Sequence, residues 1–276
     1  MAFNWTNGAP KVAFVTGGGS GLGKQFALLL LAEGASLALF DLHVSDEVRA
    51  EFAAKAGSGQ RVLTYQVDMT DGAGVEAAVA EAVAALGAPD LAINSAGIAV
   101  SAPFEKLSQE TFEKVIAVNL FGSRNFAAAV LPHMQPGSRL ALVASLDGKI
   151  GSFGYAAYNA SKFGVVGLAE CLRMEQKLRG VEVTVICPGE IETPLVAEES
   201  KTIDPISRGV KDMGGTLTIT EACNEMMSQI ARGKFVVIPG AKSRQTYFVS
   251  RHFPSLLYRM IDGKVRKIAN RQHARA

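Results

Sequence analysis

Lys11-Val-Ala-Phe-Val-Thr-Gly-Gly-Gly-Ser-Gly-Leu-Gly-Lys-Gln-Phe-Ala-Leu-Leu-Leu-Leu-Ala32 is the stretch that decides how this chain folds. Residues 11–16 form a short apolar run, 17–23 a glycine-rich turn, and 22–32 a segment with helical periodicity. That is strand, turn, helix. Glycines let the backbone approach a phosphate closely. The N-terminus of the helix that follows favours negative charge. The literal Gly-x-Gly-x-x-Gly spacing is met in no register; the glycines fall as Gly17-x-x-x-Gly21-x-Gly23.

The same alternation continues outward from this unit. Further strands are expected at 36–40, 61–67, 90–93, 140–144, 181–187 and 235–238. Helices are expected at 46–56, 74–86, 108–130, 158–178 and 220–230. Strands alternating with helices imply an α/β fold: one doubly wound, Rossmann-like parallel sheet of about seven strands with helices on both faces. No repeat or linker divides residues 1–276, so one domain is expected. Ligands of such sheets bind outside the carboxyl ends of the strands. Thr16, Asp41, Asp68, Asn94, Ser145 and the Pro188-Gly189 pair all stand at expected strand ends.

Composition bounds the function. A hydrophobic content of 48% with 20% charged residues is that of a globular protein. Residues 1–10 show no basic-then-apolar leader, and the apolar run 27–32 is too short to span a bilayer. Cys171, Cys187 and Cys223 are widely spaced in apolar runs and read as reduced core residues. The four histidines are scattered, so no metal site is expected. These features together predict a cytoplasmic protein. The net charge of +2 is unevenly spread. Residues 242–276 carry nine bases and one acid, whereas the remainder carries 19 bases and 25 acids.

A second stretch carries chemistry: Ser145-Leu-Asp-Gly-Lys-Ile-Gly-Ser-Phe-Gly-Tyr-Ala-Ala-Tyr-Asn-Ala-Ser-Lys162. Ser145 ends a strand. Tyr158 and Lys162 are four residues apart at the start of a helix, hence on one face. A phenol titrates near pH ~10 in water, and a nearby ammonium favours phenolate. A tuned phenol beside a serine hydroxyl suits proton transfer to or from an alcohol or carbonyl. In the first half, Asp41 ends the second strand, 18 residues past Gly23. An acid there accepts hydrogen bonds from an adenosine ribose and repels a 2′-phosphate, which favours NAD over NADP.

Together these elements resemble the short-chain dehydrogenase/reductase family over about residues 11–239. Thr16 to Gly23 matches that family's dinucleotide turn. Asn94-Ser95-Ala96-Gly97 matches its Asn-Asn-Ala-Gly element, with Ser95 departing from the pattern. Val118-Asn119-Leu120 gives the context of its catalytic Asn. Ser145 lies thirteen residues before Tyr158, and Lys162 four after it, as in the family. Pro188-Gly189-Glu190-Ile191-Glu192-Thr193 matches its Pro-Gly-x-x-x-Thr. The resemblance implies that Tyr158 is the general acid/base and that Lys162 lowers its pKa and holds the nicotinamide ribose. It implies that Ser145 orients the substrate oxygen and that Asn119 supports a water leading from Lys162 to solvent. Gly17, Ser20, Gly21, Leu22, Gly23, Asn94, Ala96, Gly97, Pro188 and Gly189 are implied to frame the NAD. Ile191 and Thr193 would hold its carboxamide, and Asp68 and Met69 would lie near its adenine.

In the resembling family the segment matching 190–218 is a mobile lid over substrate. Here it mixes Leu195, Val196, Ile203, Ile206 and Met213 with Glu198, Glu199, Lys201 and Arg208. Phe153 and Tyr155 offer an aromatic wall. Residues 240–276 extend beyond the usual end. Phe253, Leu256, Leu257, Met260, Ile261, Val265 and Ile268 approximate one helical stripe among basic residues. Such a stretch packs on its own body or a second subunit, the favoured reading, or lies on an anionic membrane. Nucleic acid is disfavoured by the acidic body. A dimer is expected over the family's tetramer, one of whose surfaces the tail would cover. The expected activity is NAD-dependent interconversion of a secondary alcohol and a ketone on an apolar small molecule of steroid, lipid or aromatic type. The rival readings are an NADPH-dependent ketone reductase and a silent dinucleotide-binding regulator.

Overall fold

The computed structural model describes residues 3–200, 203–212 and 214–273. Lys201 and Met213, assigned to the lid, and the last three residues of the tail lie outside them. In chain order the elements begin β1 (Val12–Thr16), α1 (Gly21–Ala32), β2 (Ser36–Asp41), α2 (Asp46–Lys55), β3 (Val62–Gln66), α3 (Gly72–Leu86) and β4 (Leu91–Asn94). They continue with α4 (Gln109–Ile116), α5 (Gly122–Val130), β5 (Arg139–Val143), α6 (Ala156–Gln176), β6 (Glu182–Ile186), β7 (Glu190–Ile191), α7 (Pro194–Glu199), α8 (Pro205–Lys211) and β8 (Thr216–Leu217). The chain then forms α9 (Ile219–Ala231), β9 (Val236–Val237), α10 (Ala241–His252) and α11 (Pro254–His273).

Seven strands make one parallel sheet in the order β3-β2-β1-β4-β5-β6-β9. The order reverses between β1 and β4, which opens a crevice at their carboxyl ends. Successive residues of β1 serve opposite faces, as a strand requires. Phe14 joins Phe40, Phe126, Leu142 and Val165 on one side. Ala13 and Val15 join Phe26, Leu30, Leu39 and Met226 on the other. Both faces are buried, so these strands read as continuous apolar runs. Cys187 and Cys223 belong to these cores, but Cys171 is exposed on α6, contrary to its apolar sequence context.

Three local departures from the sequence expectation bear on function. The helix expected at 108–130 is interrupted by a π-helical turn over Ala117–Phe121, which sets Asn119 apart from ordinary helical spacing. The segment without a clear period at 190–215 holds α7, α8 and a two-stranded parallel ribbon, β7 with β8. The tail is two helices instead of one stripe. Phe253 leaves helical geometry because a residue before proline disfavours it, and Pro254 then begins α11.

The tail packs on the chain itself. A side chain at Gly189 would collide with Ser243 of α10, and one at Gly209 of α8 would collide with Ile268 of α11. Leu257 is buried, whereas Phe248, Phe253, Leu256, Tyr258 and Met260 are half exposed or more.

Candidate active site

The loops at the carboxyl ends of β1 and β4 are lashed to each other and to the helices behind them by small side chains. The buried Thr16 hydroxyl donates to Asn94 Oδ1 at 2.8 Å and accepts from the amides of Ser95 and Ala96 at 3.0 Å. Asn94 Nδ2 donates to Ser123 Oγ at 2.8 Å. Both ends of the Asn94 carboxamide are therefore committed to the protein, and its side chain ties the end of β4 to β1 and α5. Asn119, fully buried in the π turn, accepts from the Ile98 amide at 2.8 Å. Its Nδ2 donates to Ile98 O and to Ser161 Oγ, each at 2.9 Å. A Cβ placed on Gly97 would lie 3.1 Å from Asn119 Oδ1 and 3.5 Å from Lys162 Nζ, so these groups converge on one point.

The glycine turn fits a dinucleotide. Gly21 adopts φ +51°, and the space where its side chain would project is open. Gly23 has no such room, because a Cβ there would collide with the backbone of Gly17 as α1 starts. Ser20 occupies the N-cap of α1, yet its side chain caps no amide among the described residues, whereas Ser45, Asp71 and Ser108 cap α2, α3 and α4. The first amides of α1 are thus left to an anion. Asp41 faces the turn: Oδ2 accepts from the Gly19 amide at 2.9 Å and Oδ1 from the His43 amide at 3.2 Å. Asp68 accepts from the amide and hydroxyl of Thr70, both at 2.8 Å. The Met69 side chain is buried in the core against Gly122, and its carbonyl accepts from Asn125 Nδ2 at 3.0 Å.

The reacting groups meet at the end of β5. Ser145 Oγ accepts from the Asp147 amide at 3.1 Å and lies 3.5 Å from Pro188 O. Lys162 is buried on α6; Nζ donates to Val143 O at 3.0 Å and stands 5.6 Å from the Tyr158 ring centroid. Burial lowers the Lys162 pKa to about 8. The Tyr158 phenol is pushed up, first by burial and then by the charge of Asp147, against the pull of its hydrogen bond with Ser145. Lys162 donates its hydrogen bond to a backbone carbonyl and not to the phenol. A phenol held protonated is ready to donate.

These groups close one end of a cavity of about 500 Å³. Leu22, Gly97, Gly189, Ile191 and Thr193 line its nucleotide side, and the Thr193 hydroxyl also caps α7. Its far wall is apolar: Leu195, Val196 and Val210 from α7 and α8, then Val249, Leu256, Leu257, Met260 and Ile261 from α10 and α11. The tail helices had not been expected to line the site; the apolar stripe in the sequence was the signal. Tyr155 lines the cavity, with its ring 6.2 Å from that of Tyr158. Phe153 does not; the turn at Gly154 reverses the chain and leaves its carbonyl bonded to Ser207 Oγ at 2.9 Å. Asp147, Glu199 and Lys211 also reach the cavity.

Comparison with known proteins agrees with this geometry. A family profile described as short chain dehydrogenase matches residues 11–204. The 3-dehydrosphinganine reductase of Danio rerio is 35% identical over 235 residues, 83% of this chain and 70% of that protein. A levodione reductase structure superposes with a TM-score of 0.74 at 31% identity, covering 87% of this chain and 99% of its own. A 3-oxoacyl-[acyl-carrier protein] reductase from Brucella melitensis, solved in complex with NAD, gives a TM-score of 0.73 at 25% identity, covering 84% and 97%.

Proposed function

The chain belongs to the short-chain dehydrogenase family, and from that membership we propose an NAD-dependent enzyme that interconverts the ketone and secondary alcohol of a long-chain lipid. One observation carries the lipid reading: an apolar cavity runs from Ser145, Tyr158 and Lys162 to the tail helices. The 3-dehydrosphinganine named for the Danio rerio relative is a long-chain ketone, which suits such a cavity. Asp41 at the glycine turn favours NAD over NADP.

Bound at the turn, the nicotinamide dinucleotide supplies or takes up the hydride. Gly17, Ser20, Gly21, Leu22 and Gly23 would hold its diphosphate, Asp41 its adenosine ribose, and Lys162, Ile191 and Thr193 its nicotinamide end. The chain's own residues handle the oxygen. Ser145 orients the ketone by a hydrogen bond, and the protonated Tyr158 phenol gives its proton to that oxygen as it gains charge. Lys162, held near the phenol, steadies the phenolate that results. In the oxidising direction the same proton returns to Tyr158.

The segment 190–218 acts as a lid, since α7 and α8 roof the cavity. The enzyme is a cytoplasmic dimer that touches anionic membranes through the exposed aromatic and basic face of α10 and α11. Phe104, Phe121 and Phe163, exposed on the other side of the fold, offer an apolar face for the second subunit. The test is oxidation of NADH with ketones of increasing chain length. Activity rising with chain length supports the reading, and turnover confined to short hydrophilic ketones refutes it.

A further inference from the structure

Around the reacting groups the cavity is walled by buried residues such as Val143, Ala144, Tyr155, Ile191 and Leu257. Three large apolar residues that line the same cavity face solvent instead: Leu195 is 40% exposed, Leu256 51% and Met260 50%. A side chain that both lines a cavity and faces solvent stands at its mouth. Leu195 belongs to α7 and the other two to α11, so the mouth opens between the lid and the tail. Phe253, three residues before Leu256 and also exposed, extends the apolar rim. An exposed apolar patch around an opening marks an interaction surface.

The charges beside the mouth say what covers it. Leu256, Met260, Lys267 and Arg271 follow one another at intervals of four, seven and four residues, so they share one face of α11. Arg259 flanks that face, and all three bases are exposed. Asp262, the one acid among residues 242–276, stands two residues past Met260 and so on the opposite side of the helix. An apolar rim set among positive charges fits an anionic bilayer, whose acyl region takes the apolar side chains while its headgroups meet the bases. A second copy of this chain fits less well, because a two-fold contact would bring the same bases against each other. The tail is also seated on the lid: a side chain at Gly209 of α8 would meet Ile268 and Lys264 of α11. We propose that the mouth between α7 and α11 faces the anionic leaflet, and that the substrate's hydrocarbon chain passes from the leaflet into the cavity without crossing water. Each methylene favours an apolar medium over water by about four-fold, so a long chain is almost never free in solution. The inference rests on the lipid-ketone reading and makes the membrane contact the substrate's way in.

Placement of the mouth and uptake of the chain are tested separately, on the full-length protein. The single tryptophan, Trp5, borders a different cavity, so Trp5→Phe combined with Met260→Trp leaves one fluorophore at the mouth. Phosphatidylglycerol vesicles with a nitroxide on the acyl chain should quench it about two-fold or more, since an interfacial helix buries its apolar face to that depth. Absence of quenching, as when a second copy covers the face, overturns the proposal. Lys267→Glu with Arg271→Glu should weaken vesicle binding by about thirty-fold or more. Without vesicles the same variant should reduce a short, water-soluble ketone within about two-fold of the wild-type rate. Uptake is read from the rate on a long-chain ketone held at a fixed mole fraction in the vesicles. Entry from the leaflet makes that rate rise with the amount of vesicle and level off once the enzyme is bound. Entry from water leaves it independent of that amount, because the mole fraction fixes the free ketone, and overturns the proposal. If no ketone of any chain length is reduced while Met260→Trp is quenched, the reaction is wrong and the placement of the mouth stands.

Discussion

Asp41→Asn isolates the electrostatic basis of cofactor choice. The carboxylate does two jobs: it bonds the amides of Gly19 and His43, and it presents a negative charge to whatever lies along the turn. A 2′-phosphate about 4 Å away would be repelled by roughly 4 kcal/mol per unit charge at an effective dielectric near 20. Solvent access and salt reduce that to about 2 kcal/mol, or ~30-fold in affinity. Asn keeps one carbonyl oxygen for the Gly19 amide, so the turn keeps its shape while the charge is gone. Asp41→Ala removes both bonds, each worth about 1.5–3 kcal/mol as charge-assisted contacts, and should weaken NADH and NADPH alike. Parallel fluorescence titrations with the two reduced nucleotides should show a preference for NADH of ~30-fold in the wild type. In Asp41→Asn the preference should shrink to within about three-fold. A wild type that binds NADPH more tightly, or an Asn variant with an undiminished preference, refutes the reasoning.

Tyr158→Phe keeps the ring near Tyr155 and Lys162 and removes only the proton donor. Turnover should fall by about 10²–10⁴-fold with nucleotide affinity nearly intact, and surviving turnover would also displace Tyr158 from the mechanism. Lys162 is charged below its pKa of about 8 and neutral above it, while the raised phenol stays protonated, so ketone reduction should decline as pH rises through about 8. A profile flat from about pH 7 to 10 would contradict that role. Phe248 and Phe253 are each 55% exposed. Replacing both with Ser should cut co-sedimentation with anionic vesicles by about ten-fold or more, since burying a Phe contributes ~1.5–3 kcal/mol. Binding that ignores the substitutions or the vesicle charge would remove the membrane contact.

The sheet was legible because both of its faces are buried, so every strand announces itself as an apolar run between helices. The reacting residues were legible for a different reason: Ser145, Tyr158 and Lys162 lie on one strand end and one helix turn, where sequence spacing nearly determines spatial distance. Their ionisation was not. The pKa of Tyr158 depends on burial and on Asp147, and neither its depth nor the direction of the Lys162 hydrogen bond is encoded in a four-residue interval. Asn94 and Met69 stand at their motif positions, with the Asn94 side chain hydrogen-bonded to Thr16 and Ser123 and the Met69 side chain in the core; a motif gives the backbone path and leaves the rotamer open. The far wall of the cavity was hidden most deeply. Leu257 and Ile261 are remote in sequence from Tyr158, and tertiary approaches such as those of Ser243 to Gly189 and Ile268 to Gly209 bring them over the site.

Because α10 and α11 close that wall, the order of synthesis matters. A chain made only as far as β9 contains every strand of the sheet and Ser145, Tyr158 and Lys162, but its cavity lacks the wall that α10 and α11 supply. A polypeptide stopped at that point would have the glycine turn and Tyr158 without the apolar residues of α10 and α11 that line the cavity. The apolar wall is therefore made after the glycine turn and after Ser145, Tyr158 and Lys162. On the proposed function, a chain truncated in the tail should keep nucleotide binding and lose activity on long-chain ketones, the apolar wall being absent.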